Sequence, residues 1–600
     1  MPQLADKRFL ITTPDETTWN QEKPLLFLGE WCRLFSKREA LAKLDIEQHP
    51  YHWADRKKFA GDYPLLGKIY EEKLAALSGS LNSIHGLSRN IRYWRIIIGP
   101  WLRFFIDAVY DRFETIRTVA ETNGVDDTWI HTYQLENWIP SDFQEFYMQF
   151  RYDGWNHIIF SECIKNAAIP FTQKDTQLVP EINVKTKQSS LRRLAKMVMN
   201  TYNAVLPSRF NRVAIIAAYI PLRKLRKLQR SLGQLPYISA PLVSVENRVV
   251  DHVKRNLLIT GKTDTAFEKL LNRLIVQLMP FAYVENFAAL HKKSIAAFPS
   301  KPKLIFTANA YQADDGFKTW AAHHVHHKVP LVIEQHGGHF GIGLLNQTED
   351  HQVSIADVFA SWGWKSEQHK NIHPLPAMKL PSKPVSYNVN GDILLVTASY
   401  PRYFYCYFST PIAGLFVDYL DDQIRFCKSL KDSWKDMLKI RTDADIFGWE
   451  IHERFNYAEL GESLDKSNEK LFDRLKNCRM CVSSYNATVF LETLAANIPT
   501  MIFFDPNKYE IREEAITAMN SLRAVNILHD TPESAAQFLN SLDTDIGTWW
   551  NSKVVQETRQ QFCLTYANTS ENWMDVWTDF LKDMIKSSLT LKTGNLTNSL

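Results

Sequence analysis

Four short apolar runs, DILLVTAS (392–399), MLKIR (437–441), CRMCVSS (478–484) and PTMIFFD (499–505), stop at small or polar residues and are separated by helical stretches. Runs this short and this apolar read as strands buried on both faces, and strands alternating with helices build a parallel sheet. The same rhythm occurs earlier, at Arg8–Thr12, Leu25–Leu28, Val213–Ala218, Lys303–Thr307, Pro330–Glu334 and Asp357–Ser361. A chain of 600 residues exceeds what one core organises. Pro374, Pro376, Pro381 and Pro384 divide the two sets of strands, and so many prolines make a poor helix and a poor central strand. The expected fold is therefore α/β, with two Rossmann-like doubly wound domains. The first covers 1–370, with a Trp- and Tyr-rich helical insertion over about 35–205. A linker (371–390), a second domain (391–560), a helix (561–586) and a disordered tail (587–600) follow.

Net charge is only +4, from 70 basic and 66 acidic residues, which gives no reason to expect a nucleic-acid partner. The seven cysteines are scattered and odd in number, as in a reducing compartment. Met1 to Arg8 lead straight into FLITT, and no uncharged run approaches the ~18–20 residues that span a bilayer. A cytoplasmic protein is expected.

The segment Ser483-Ser484-Tyr485-Asn486-Ala487-Thr488, continuing to Glu492, ends a strand in small polar residues and starts a helix near Asn486 or Thr488. In a doubly wound sheet ligands bind at the carboxyl ends of strands, and a helix N-terminus there offers unpaired N–H groups to a phosphate. Ser484, Asn486 and Thr488 could line such a cradle, and Glu492, one turn on, could accept from a ribose hydroxyl. The plainer reading is a capped helix with a solvated acid in its first turn.

A second strand, from Pro330 to Glu334, runs into Gln335-His336-Gly337-Gly338-His339-Phe340-Gly341-Ile342-Gly343. Four glycines in seven residues let a backbone approach a ligand closely. The loop is not a nucleotide P-loop, since it lacks the Lys-Ser/Thr pair. A tight turn with surface histidines is the competing reading. Asp15 and Glu30 follow two early strands and are candidates to take a proton from an acceptor hydroxyl, although most such acids only cap or face water.

The segment at 483–506 resembles the donor-binding element of GT-B glycosyltransferases, in which the Glu holds the donor ribose. Asn497 stands where those proteins have Gly, a change that a left-handed backbone tolerates. The opening residues, Tyr152-Asp153-Gly154-Trp155-Asn156-His157, the Gln335–Gly338 loop and Leu491–Ala495, taken in order, resemble large transferases of bacterial capsule and lipopolysaccharide loci. That resemblance implies a GT-B arrangement, with donor on the second domain against Gly337, Gly338, Arg402, Arg441, Ser484, Asn486, Thr488 and Glu492. Arg402 and Arg441, at two strand ends, would face the donor phosphate. The acceptor would lie near Asp15, Glu30, His157 and His336, one of which acts as base.

Several signals are discounted. His323-His324-Val325-His326-His327 cannot all face one ion, so no metal site is expected. Cys478 and Cys481 have redox spacing but sit inside a strand. Asp543-Thr544-Asp545 lies in a polar stretch without a metal-binding context. Leu222–Arg230 is basic and amphipathic, a solvated helix face or a contact with the inner membrane. Arg92–Phe105 is too short and too charged to span a membrane.

The leading expectation is a metal-independent glycosyltransferase of surface-polysaccharide synthesis, using a nucleotide sugar, in the narrowest form a CMP-linked acidic sugar, and a glycan or lipid-linked acceptor. No cofactor beyond the nucleotide-sugar co-substrate is expected. A nucleotide-sugar 2-epimerase, a CDP-alcohol phosphotransferase and a non-catalytic nucleotide-sugar-binding protein are the alternatives.

Overall fold

The computed structural model describes residues 7–122, 124–180, 212–236, 243–443, 447–543 and 545–597, with side chains to 587. Three parallel sheets organise it. The first consists of β1 (Arg8–Ile11), β2 (Leu25–Phe27), β3 (Ile46–Gln48) and β4 (Val125–Asp127), in the order β3-β2-β1-β4. Between β3 and β4 run two long helices, α1 (Arg56–His85) and α2 (Ile91–Glu121). Asp55 and Asn90 cap them by accepting from the first-turn amides. Then come β5 (Trp129–Thr132), α3 (Phe143–Gln149), α4 (Asp153–Asn166) and β6 (Thr172–Gln177), with β5 and β6 forming a two-stranded parallel pair.

This corrects the expected map. Arg8–Thr12 and Leu25–Leu28 are strands but do not join the strands after residue 212; they build a separate sheet. The helical region is therefore largely the body of that module. Its stretch from 181 to 205 lies outside the described residues.

The second sheet holds β7 (Val213–Ile216), β8 (Leu304–Thr307), β9 (Leu331–Glu334), β10 (Val358–Ser361) and β11 (Ile372–Pro374), in sequential order. The last strand lies in the expected linker. Pro374 is tolerated there because β11 is an edge strand. Side chains alternate between the faces. Ala214, Ile216, Ile305 and Ile333 join the main core, while Val213, Ile215, Phe306 and Val332 meet Trp573, Trp577 and Leu581. Those three belong to the closing helix, Trp573–Thr597, which runs beyond the expected end at 586. Burying each of these large side chains contributes about 1.5–3 kcal/mol. The basic helix α5 (Leu222–Ser231) seats Leu228 in the same cluster and turns its arginines and lysines outward.

The third sheet comprises β12 (Asp392–Val396), β13 (Leu438–Arg441), β14 (Cys478–Ser483), β15 (Thr500–Phe503) and β16 (Leu528–His529), in the order β13-β12-β14-β15-β16. That order reverses between β12 and β14, the switch point at which such sheets open a crevice. Cys478 and Cys481 are buried in β14, where burial pushes both thiols up, Cys478 to about 12. The second and third sheets give the two Rossmann-like domains expected of the GT-B arrangement. One continuous core joins all three sheets. Arg56 to Glu510 at 2.6 Å and Arg512 to Glu349 at 2.9 Å tie their loops together. Among the described residues no helix is long and apolar enough to cross a membrane.

Candidate functional site

The carboxyl ends of the second and third sheets meet at the glycine loop. β14 ends in a buried turn, after which α6 (Thr488–Ala495) begins. Its N-cap is Ala487, whose side chain cannot satisfy the first amides of the helix. The Gly338 amide donates to Thr488 Oγ1 at 2.8 Å. A Cβ on Gly338 would lie 2.2 Å from the Ala487 carbonyl, and one on Gly337 would lie 3.0 Å from Thr488 Oγ1. Only glycine permits this approach, so the loop that the sequence marks is spent on bringing two sheets together.

Beyond the glycine loop, Arg512 donates to the Gly343 carbonyl at 2.9–3.0 Å, and buried Glu349 accepts from the Gly341 amide at 2.8 Å. His339 is buried against this loop, and burial pulls it down to about 4.

Several buried polar atoms at this junction have no partner among the described residues. Both amide atoms of Asn486 are among them, in a residue that is 1% exposed. So are Tyr311 OH, Asn309 Oδ1 and His336 Nδ1 from the second sheet, and Ser399 Oγ from the third. The His336 ring stacks on Tyr219 with centroids 6.1 Å apart and lies 6.3 Å from Tyr311. Burial pulls His336 down to about 4, so its imidazole is neutral at pH 7. Tyr219 and Ala217 both have φ of 52°, a left-handed conformation that costs energy outside glycine and gathers at functional sites.

Ser484 is buried, 2.7 Å from the Tyr419 hydroxyl, and donates to the Val396 carbonyl. A small cavity beside it is also lined by Tyr419, Asp422, Phe504, Asp505 and Lys508. Glu492 lies one turn into α6, with Oε1 3.1 Å from Lys379 Nζ. Lys379 comes from the stretch after β11 and also acts electrostatically on His336 and on Glu334, whose carboxyl burial raises to about 8.

The family model described as LIC12162 family transferase matches residues 8–581. The chain belongs to that family. No curated protein matches it. Solved structures overlap it only loosely. A variant of the wall teichoic acid polymerase TagF is 10% identical, with a TM-score of 0.32, over 67% of this chain and 98% of its own. MurG from Acinetobacter baumannii is 12% identical, with a TM-score of 0.32, over 62% and 99%. MnaA from S. aureus, with UDP, is 11% identical, with a TM-score of 0.35, over 63% and 97%. Overlaps this loose transfer no residue role to the LIC12162 family chain.

In this transferase the other residues singled out from the sequence lie elsewhere. Arg402 and Arg441, expected to face the donor phosphate, each have protein partners. Arg402 Nη2 donates to both carboxylate oxygens of Asp153 at 2.8 Å, and Nη1 donates to the Trp31 carbonyl. Arg441 pairs with Asp465 at 2.9 Å and donates to the Ser467 and Glu469 carbonyls. Each guanidinium is already neutralised by a carboxylate.

Asp15 and His157 do come together, but in the first sheet's own crevice. His131 Nε2 donates to Asp15 Oδ2 at 2.9 Å, and His157 Nε2 accepts from the His131 amide at 3.1 Å. The bond from His131 holds Asp15 well below the usual carboxylate range, and burial pulls His157 down to about 3. Glu30 sits at the seam with Gly414, 3.8 Å from Arg33. His336 alone among the four candidate bases reaches the glycine-loop junction.

His323 lies 4.9 Å from His327 and 5.4 Å from His291 by ring centroids, and among the described residues no group of three or more His, Cys, Asp or Glu is placed to hold a metal. Thr544 lies outside the described residues, and Asp543 pairs with Lys431 at 2.6 Å. Tyr219, Asn309, Tyr311 and Lys379 are the residues that sequence reasoning missed. Asn309 and Tyr311 follow β8 directly, a strand-end position that could have drawn attention.

Proposed function

We propose that the chain is a glycosyltransferase that moves a sugar from a nucleotide-activated donor to a surface-polysaccharide or lipid-linked acceptor. One observation carries this reading. The unpaired buried polar atoms of Asn486, Asn309, Tyr311 and His336 gather where two sheets meet, beside an uncapped helix N-terminus at a topological switch point. Buried polar groups are normally satisfied, so a cluster that is not is suited to a ligand that supplies the partners.

The first amides of α6 would hold the donor phosphate, Asn486 would bond the nucleotide or phosphate, and Glu492 would accept from the ribose. His336, neutral at pH 7, would take the acceptor hydroxyl proton as the acceptor oxygen bonds to the anomeric carbon. In the same step the bond from that carbon to the phosphate oxygen breaks, and its electron pair leaves with the nucleotide, stabilised by the helix dipole rather than by a metal ion. In the narrowest form the donor is a CMP-linked acidic sugar. The site would work on the cytoplasmic side, with the outward cations of α5 resting on anionic lipid.

A thermal-shift screen of CMP, CDP, UDP and GDP, followed by their sugars with and without glycan acceptors, tests this. A nucleotide at 100 times its dissociation constant stabilises the fold by about 2.7 kcal/mol. Sugar release that depends on an acceptor supports transfer. An isomerised donor without any acceptor would mean an epimerase, and a screen without a single stabilising nucleotide would end the proposal.

A further inference from the structure

Where α2 passes the second domain it departs from a good helix. Gly99 and Pro100 stand together in its interior, and both residue types weaken a helix there. A Cβ on Gly99 would lie 3.0 Å from the His351 ring and 2.7 Å from the Tyr70 hydroxyl. The glycine thus lets His351, on the helix Gln347–Ile355, close against α2. Beside that contact lies a cavity of about 250 Å³, its open mouth included. Pro100, Arg103 and Phe104 form one wall, and Tyr311, Gln347 and His351 the other. Its enclosed end has the size of a single hydroxyl or water.

Four side chains of this lining keep a buried polar atom without a partner among the described residues: Tyr311 OH, Gln347 Nε2, His351 Nε2 and Arg103 Nη2. Tyr311 is 1% exposed and Gln347 4%. The Gln347 amide cannot turn round, because its Oε1 accepts from the Tyr407 amide at 2.9 Å, which its NH2 could not do. Arg103 brings the lining's one permanent charge, and Asp107 neutralises it at 2.8 Å. Burial pulls His351 down to about 3, so that ring is neutral at pH 7. The cavity therefore offers hydrogen bonds without net charge, beside the apolar surfaces of Pro100 and Phe104. Buried polar groups are normally satisfied, and these await partners. Tyr311 links them to the proposed base: its ring lies 6.0 Å from His351 and 6.3 Å from His336.

We propose that this cavity is an acceptor subsite, taking one hydroxyl of a neutral sugar into its enclosed end while the ring rests against Pro100 and Phe104 at the mouth. This rests on the transferase reading and adds to it that the acceptor unit beside His336 is uncharged and is read in part by α2. A sugar hydroxyl can accept from Gln347 Nε2 and Arg103 Nη2 and donate to the neutral His351 ring or to Tyr311. An ionised carboxylate could only accept, and its charge would be buried without a counter-ion, since Arg103 is already paired.

The test is a ligand-observed NMR titration of the full chain with methyl glucoside, methyl galactoside and methyl mannoside, and with methyl glucuronide as the charged counterpart. Wild type should bind at least one neutral glycoside, and the glucuronide several-fold more weakly. Tyr311→Phe removes a hydroxyl that bonds nothing in the protein, so it should weaken the neutral sugar about fivefold with melting temperature unchanged. Gln347→Glu keeps the oxygen that accepts from Tyr407 but loses the donor, and should weaken the sugar at least as much. Binding of no neutral glycoside, binding of the glucuronide as tightly as the best neutral one, or unchanged affinity in Tyr311→Phe would each overturn the assignment. The titration contains no nucleotide, so a chain that binds nucleotides but no glycoside loses the subsite alone. Should Gln347→Glu fail to fold, Tyr311→Phe carries the test.

Discussion

The crevice of the first sheet and that of the third invite comparison, because each opens where strand order reverses and each collects polar residues. In the first, Asp15 accepts from His131 and from both the amide and hydroxyl of Thr17, while His157 accepts from the His131 amide. In the third, the Asn486 side chain has no hydrogen-bond partner among the described residues. The titratable groups of the first crevice bond one another, though Thr13 Oγ1 and the Nδ1 atoms of His131 and His157 keep no partner among the described residues, whereas Asn486 has neither of its amide atoms bonded. Polar residues at strand ends are thus ranked by what already occupies them, not by type.

Acid should strain both regions, with the largest effect. His157 and His351 are pulled down to about 3, and His336 and His339 to about 4, from an ordinary 6.5. Below 6.5 the unfolded chain takes up protons that these buried rings refuse, so stability present at neutral pH is lost as pH falls toward 4. Each ring contributes about 1.4 kcal/mol per pH unit in that window. Glu334, raised to about 8 from 4.5, opposes them by losing stability as pH rises between those values. The four rings outweigh it, and melting temperature should drop steeply between pH 6.5 and 4.5. A flat profile would show that the rings are not buried as neutral groups.

Gly338→Ala attacks the junction alone. Its Cβ meets backbone that cannot swing away, so a loss of about 1–3 kcal/mol in denaturant unfolding is expected, together with loss of nucleotide binding. The first crevice should not notice, and the Asp15 titration followed by NMR should stay in place.

Asn486→Ala separates a ligand site from a structural one. Removing an unsatisfied buried amide leaves stability unchanged or slightly higher, while nucleotide affinity falls by about tenfold. The reverse pattern, lower melting temperature with intact affinity, would make this crevice like the first.

Arg441→Ala should be the mildest change. It removes one partner of Asp465, which keeps Arg474 at 3.4 Å and the Ser467 amide at 3.2 Å, costing about 0.5–1.5 kcal/mol in chemical denaturation, with nucleotide affinity unaltered. Weakened binding would restore the arginine to the donor site.

Much of this was legible in the sequence, and the failures share a cause. The strand at 303–307 is Leu304–Thr307, the one at 499–505 contains Thr500–Phe503, and Asn497 is left-handed, with φ of 56°. These depend on local residue type and spacing. What escaped is long-range. Nothing near Arg8–Ile11 says which sheet it joins, and Arg402 finds Asp153 across 249 positions. The strand Leu528–His529 is two residues long and carries no periodicity to read.

The helix from Trp573 covers a face of the second sheet whose strands begin at Val213. On a ribosome, then, that sheet waits with one side only partly covered, by α5, until some 200 later residues of a third domain have been made. Its completion closes the whole chain like a clasp. Cutting the polypeptide before Trp573 should therefore release, not a trimmed enzyme, but one whose earlier domain aggregates through the uncovered apolar face.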